Sequence, residues 1–278
     1  MAFNIFLLLA VFTIICTQCN LPTVNAMIGP NVRVAHEREF PFIVAIKHIN
    51  LENPMPIRDH ICTAAMISKV HVLSAAQCTE NRIIANTAIL YGSNALIFAE
   101  EYRIRWWINF NQWTILKHRP LVNLDNDIVI IKLTREIEGD FQPAQLWPLP
   151  NNDITAQYVH LAGWGMTERR VLSLSLLTDS TVIITNNACE HHIRRETGRI
   201  FHIHERHFCS LGITFTLLQR GDFGGPVLYC NKIVGINKQV LPEARRELNN
   251  QKINIHTSIH FYREFIEDVN NDHFNWEG

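Results

Sequence analysis

Hydrophobic residues along this chain come in short runs cut by turn residues: "FPFIVAI" (40–46), "CTAAMIS" (62–68), "HVLSAA" (71–76), "DIVIIKL" (127–133), "YVHLAGWG" (158–165), "STVIIT" (180–185), "GPVLYC" (225–230) and "KIVGI" (232–236). Runs this short, rich in Val and Ile, read as buried strands of a sandwich or barrel. The period changes near the end. In "SIHFYREFIEDVN" (258–270), Ile259, Tyr262, Phe265, Ile266 and Val269 recur at three- and four-residue spacing, which predicts an amphipathic helix. Residues 5–15 form one apolar run, too short for the roughly 20 residues a bilayer span needs. Followed by the small-x-small site Val24-Asn25-Ala26, it reads as a secretory signal peptide over 1–26, although its head carries no Lys or Arg. The expectation is a secreted protein with one domain over 27–278 and no membrane contact. The segments 53–59 and 241–252 read as exposed loops.

Composition narrows this further. At 278 residues, 47% hydrophobic and 18% charged, the chain can bury a large core. A net charge of −1 gives no reason to expect nucleic acid or an anionic membrane surface as partner. Beyond residue 26 the cysteines are 62, 78, 189, 209 and 230. Cys62 and Cys78 flank a short apolar segment and read as one bridge, Cys189 and Cys209 as a second, which leaves Cys230 alone. Five histidines, 191, 192, 202, 204 and 207, crowd between Cys189 and Cys209. They raise a zinc site as one reading, with His202 and His204 on a strand, and a solvated insertion loop as the plainer one. "RIRWWINFNQW" (103–113) reads first as an alternating barrel strand and second as a partner-binding edge. No metal and no cofactor is assigned.

Five segments, in this order, resemble the trypsin/chymotrypsin family: "SAAQC" (74–78), "NDIVIIKL" (126–133), "AGWG" (162–165), "GDFGGP" (221–226) and the terminal helix. The resemblance runs from about residue 27 to the end. It implies an all-β fold of two six-stranded antiparallel β-barrels with a C-terminal α-helix and the active site between the barrels. The catalytic triad of that family falls on Gln77, Asp127 and Phe223, so only the aspartate is kept. The mechanism needs a hydroxyl nucleophile and an imidazole to move its proton. An amide and a phenyl ring supply neither.

The same resemblance places Leu217 at the pocket base, where trypsin-like members carry an aspartate. It puts Lys238, Gln239 and Val240 where the family binds the substrate backbone, and Asn254 on a glycine of the pocket wall. Gln219 stands where the family has a cysteine beside the pocket. On the same resemblance, the turn of Gly221 and the N–H of Phe223 is a candidate oxyanion-like nest for an anion, and the plainer reading is that its glycines are there for the φ values the turn needs. Asp222 is expected to pair with a freed α-amino group, placed here at Met27, because no basic residue precedes "MIGP" (27–30). The family partner of Cys230 falls near Val159, so Cys230 is expected free and buried. No arthropod-type clip domain is expected, since one would need several more cysteines. The implied function is a secreted, non-catalytic protease homologue that binds extracellular proteins, proteases or their substrates among them, as cofactor, decoy or regulator. Two alternatives stand beside it: weak unorthodox hydrolysis, using Asp127 with a histidine such as His118, and a metal- or ligand-binding scaffold.

Overall fold

The computed structural model describes residues 27–276 apart from 122–124, 140, 213, 243–250 and 272. The signal-peptide reading of 1–26 lies outside the described residues. Six strands, β2 (Ile43–His48), β3 (His60–Met66), β4 (His71–Ser74), β5 (Thr87–Tyr91), β6 (Glu100–Asn109) and β7 (Val129–Leu133), close into a first barrel in the order β2-β3-β4-β7-β6-β5. The second barrel is built from β9 (Tyr158–Gly163), β10 (Leu177–Ile184), β11 (His207–Leu211), β12 (Pro226–Tyr229), β13 (Lys232–Leu241) and β14 (Ile253–Ser258). β9 pairs with both β10 and β12, which closes that ring. Two short strands lie outside it, β1 (Arg33–Val34) on β10 and β8 (Gln145–Leu146) parallel to β13.

Among the described residues three helices accompany the barrels. α1 (Phe110–Leu116) starts on a capping box, with Asn109 Oδ1 accepting from Gln112 N and Gln112 Oε1 accepting from Asn109 N, both at 2.9 Å. Neither it nor α2 (Asn186–Thr197) was expected from the hydrophobic pattern. α3 (Arg263–Val269) is shorter than the periodicity implied, because 259–262 turns before the helix begins. It docks on α1, where Trp113 Nε1 donates to Asp268 Oδ2 at 2.7 Å and Phe110 meets Tyr262 edge-on at 4.9 Å. The tryptophans of 103–113 are thus largely spent inside the molecule: Trp106 and Trp113 are buried.

Cys62–Cys78 and Cys189–Cys209 are bridged as expected, and the second bridge ties α2 to β11. Cys230 is free, but it is exposed and not buried. The register explains the difference. Leu228 lies opposite His160, so the next residue, Tyr229, is the one that reaches the level of Val159. Tyr229 packs there on Trp147, and Cys230 falls in the turn beyond, with left-handed φ 47°.

Candidate functional site

The residues singled out in the sequence converge between the barrels. Gln77 follows β4 and Asp127 precedes β7, and the antiparallel β4–β7 pair brings these ends together. Asp127 Oδ1 accepts from the main-chain N of Gln77 at 2.9 Å, and Oδ2 accepts from its side-chain Nε2 at 2.7 Å. The other Nε2 hydrogen reaches the carbonyl of Lys238 at 2.9 Å. Both amide hydrogens are therefore engaged, and the amide plane is held in one orientation. Burial pushes the Asp127 carboxyl above its usual range, opposed by the two Gln77 donors and by the charge of Lys238. His118, the alternative partner considered for Asp127, instead lies exposed in the turn after α1.

Phe223 lies in the turn between the barrels. Its carbonyl accepts from Thr63 N at 3.1 Å, and its half-buried ring packs against the hydrophobic cores of both barrels. Gly221 has φ +101°, open to glycine and strained for other residues. Its carbonyl accepts from Thr63 Oγ1 at 2.8 Å and from His60 Nε2 at 3.0 Å. A carbonyl only accepts, so Nε2 of His60 carries the proton; burial lowers the His60 pKa to about 4 and keeps the ring neutral. The N–H groups of Gly221 and Phe223 donate to no acceptor among the described residues. His60 and Thr63 were not picked out from the sequence. Thr63 is a polar residue inside the apolar run 62–68, and His60 lies two residues before that run, at the start of β3.

Asp222 is wholly buried. Oδ1 accepts from Gly165 N at 2.8 Å, Oδ2 from Gln219 N at 2.9 Å, and the main-chain N of Met27 is a third donor. Burial still wins, and the pKa is pushed up to about 7. The glycine at 165 has a steric cause, since a Cβ there would sit 2.2 Å from Asp222 Oδ2. Met27 is also fully buried, and Ile28 exchanges two main-chain hydrogen bonds with Leu217, at 2.9 and 2.8 Å.

Leu217 is buried. Opposite it, the buried amide of Asn254 donates to Thr216 O at 2.6 Å and accepts from Leu218 N at 3.0 Å. The gap between β14 and 216–218 is thus bridged by a side-chain amide. Lys238 turns its ammonium away, to Asp125 at 2.6 Å and His207 Nε2 at 3.0 Å. The crowded histidines do not share a centre. His192 bonds the Gln251 carbonyl, His202 and His204 lie on loop and not on a strand, and His207 opens β11. Among the described residues no three His, Cys, Asp or Glu side chains are grouped to hold a metal ion.

Two antiparallel six-stranded barrels with a cleft between them define the architecture of the chymotrypsin-like proteins. The chain matches the trypsin family model over residues 30–266 and belongs to the trypsin family. It is 28% identical to mouse neutrophil elastase over 209 residues, 74% of this chain and 69% of that protein. It is 25% identical to pig azurocidin over 272 residues, 96% and 97% of the two chains. The fold is shared with mouse neuropsin, at TM-score 0.68 and 20% identity over 86% of this chain and 99% of the other. It is also shared with scabies mite inactivated protease paralogue S-D1, at TM-score 0.66 and 18% identity over 85% and 95%.

Proposed function

We propose that this trypsin-family chain is a secreted, catalytically inactive homologue that acts by binding other extracellular proteins. The observation that carries the reading is the Gln77 amide, locked between Asp127 and the Lys238 carbonyl with both hydrogens engaged. Acyl transfer by this fold requires a group there that takes a proton from a nucleophile and returns it. A carboxamide is too weakly basic to do so near neutral pH. Phe223, the residue of the nucleophile turn, has no atom that can attack a carbonyl. The recognition side supports the same reading. Leu217 offers no charge to a basic side chain, and the Asn254 amide bridges the walls a substrate side chain would have to part. One of the proteins sharing the fold is itself described as an inactivated protease paralogue. The two disulfides fit an oxidising compartment, as does the apolar leader expected over 1–26.

The test is direct. The purified protein should take no label from a fluorophosphonate probe and release no fragment from casein or a peptide library. Restoring Gln77→His and Phe223→Ser together should leave it silent toward lysine and arginine substrates. Labelling of the unmodified protein that is lost on denaturation would overturn the reading.

A further inference from the structure

Beyond the Gln77–Asp127–Phe223 cluster, a cavity of about 300 Å³ opens beside Lys238, at the small end of ligand pockets. Its walls include Asp125, Phe201, His202, His204, Arg206 and Gln239. Arg206 is buried, yet among the described residues no carboxylate forms a salt bridge with it. Its guanidinium donates to Asn126 Oδ1 at 3.0 Å and His204 Nδ1 at 3.1 Å, and its carbon lies 5.3 Å from the centre of the Phe261 ring. The neighbouring Lys238 is buried too, and its partner Asp125 is a side chain 64% exposed. Glu190, at the rim, accepts from Ile203 N at 2.8 Å and lies 3.7 Å from His202 Nδ1. His207 stays neutral, its pKa brought down to about 3 by burial and by Lys238.

The hydrogen-bond partners of this buried guanidinium are all neutral, and the one carboxylate in the cavity wall, Asp125, is engaged by Lys238, so Arg206 has no directly paired counter-charge. The planar fork of arginine matches a carboxylate bidentately. We propose that this cavity is a carboxylate pocket, filled by a Glu or Asp side chain on an extended acidic segment of the partner protein; this rests on the protein-binding reading above. Phe201 and Ile255 line the cavity and give the aliphatic stem of such a residue an apolar wall. The pocket also adjoins the old cleft, because Lys238 turns its ammonium to this side and its carbonyl to Gln77.

The experiment is fluorescence anisotropy on the full mature chain. Its probe is a labelled hexapeptide with two glutamates in an alanine background, run beside its glutamine twin. The glutamate peptide should bind about tenfold tighter than the twin, and the margin should shrink as salt is added. His202→Glu, at a rim side chain 83% exposed, leaves the fold intact and should weaken the acidic peptide about fivefold or more by like-charge repulsion. Arg206→Met, checked for native circular dichroism, should erase the difference between the two peptides. Equal affinity for both, or no effect of His202→Glu, overturns the pocket. So does binding of free succinate without binding of the acidic peptide. Capture of a native partner that ignores the glutamate peptide would reject the pocket and leave the protein-binding reading intact. Hydrolysis of the peptides would reject the reading itself.

Discussion

Gln77 does structurally what an imidazole would do for Asp127, without the chemistry. Its side chain gives the buried carboxylate one hydrogen bond and its main chain gives another. Gln77→Ala removes the first and leaves a desolvated oxygen short of a donor. The expected cost is about 1–3 kcal/mol in urea unfolding at pH 7. Gln77→Glu should cost more, because it sets a second carboxylate against Asp127, and the loss should shrink as the pH falls and one of the pair takes a proton. A Gln77→Ala protein as stable as the parent would show that water replaces the amide without penalty.

At the level of elements, the disulfide between Cys189 and Cys209 fixes α2 to β11. Replacing both cysteines by alanine should lower stability by roughly 2–5 kcal/mol and loosen α2 first, read as faster amide exchange over 186–197. What was legible here follows from which elements keep plain hydrophobic patterns. The runs at 43–48, 129–133 and 158–163 became strands whose buried positions are mostly aliphatic, and 71–74 was carried by Val72 and Leu73 although His71 and Ser74 are buried beside them. β14 was missed because its buried positions include Asn254, His256 and Thr257. Their polarity is met inside the barrel, as where Ser210 Oγ meets His256 Nε2 at 2.7 Å. α2 was missed for another reason: it buries only Cys189 and Ile193, so no apolar stripe marks it. The triad positions were readable from short motifs, whereas His60, Thr63 and the Arg206 cavity depend on contacts across more than 100 residues or on burial, which no local pattern encodes.

For the molecule as a whole, the decisive contact is that of Met27 with Asp222. Met27 N already donates to that carboxylate, while Met27 itself holds a left-handed φ of 47°. That conformation costs a non-glycine residue about 1–2 kcal/mol. Cleavage before Met27 would remove the φ constraint and turn the amide into an ammonium. We therefore expect the secreted form to start at Met27, which N-terminal sequencing will decide; a start at Val34 would mean a regulated cleavage instead. In a chain extended by Ala26, Asp222 has no cation. Its folded pKa of about 7 lies above the ordinary 3.8, so its contribution is full below pH 4 and is lost as the pH rises through 7. The extended chain should therefore lose a few kcal/mol (order of magnitude) between pH 4 and 8. The chain starting at Met27 should hold its stability until the α-amino group titrates near pH 8. Asp222→Asn should abolish the difference. Superimposable pH profiles for the two chains would sink this account.

Phe223 carries one more consequence, and it is mechanical. Its ring rests on the cores of both barrels, and its carbonyl is tied to Thr63 in the first. A residue in that place acts as a rivet, passing load from one half to the other. We expect two barrels so joined to melt as a single cooperative unit. Phe223→Ala should cost roughly 1–3 kcal/mol, less than a fully buried phenylalanine would. More tellingly, it should broaden the calorimetric endotherm, with the van't Hoff enthalpy falling below the calorimetric one as the halves begin to melt independently. A transition that stays sharp in the alanine variant would place the coupling elsewhere, on the seam between α1 and α3.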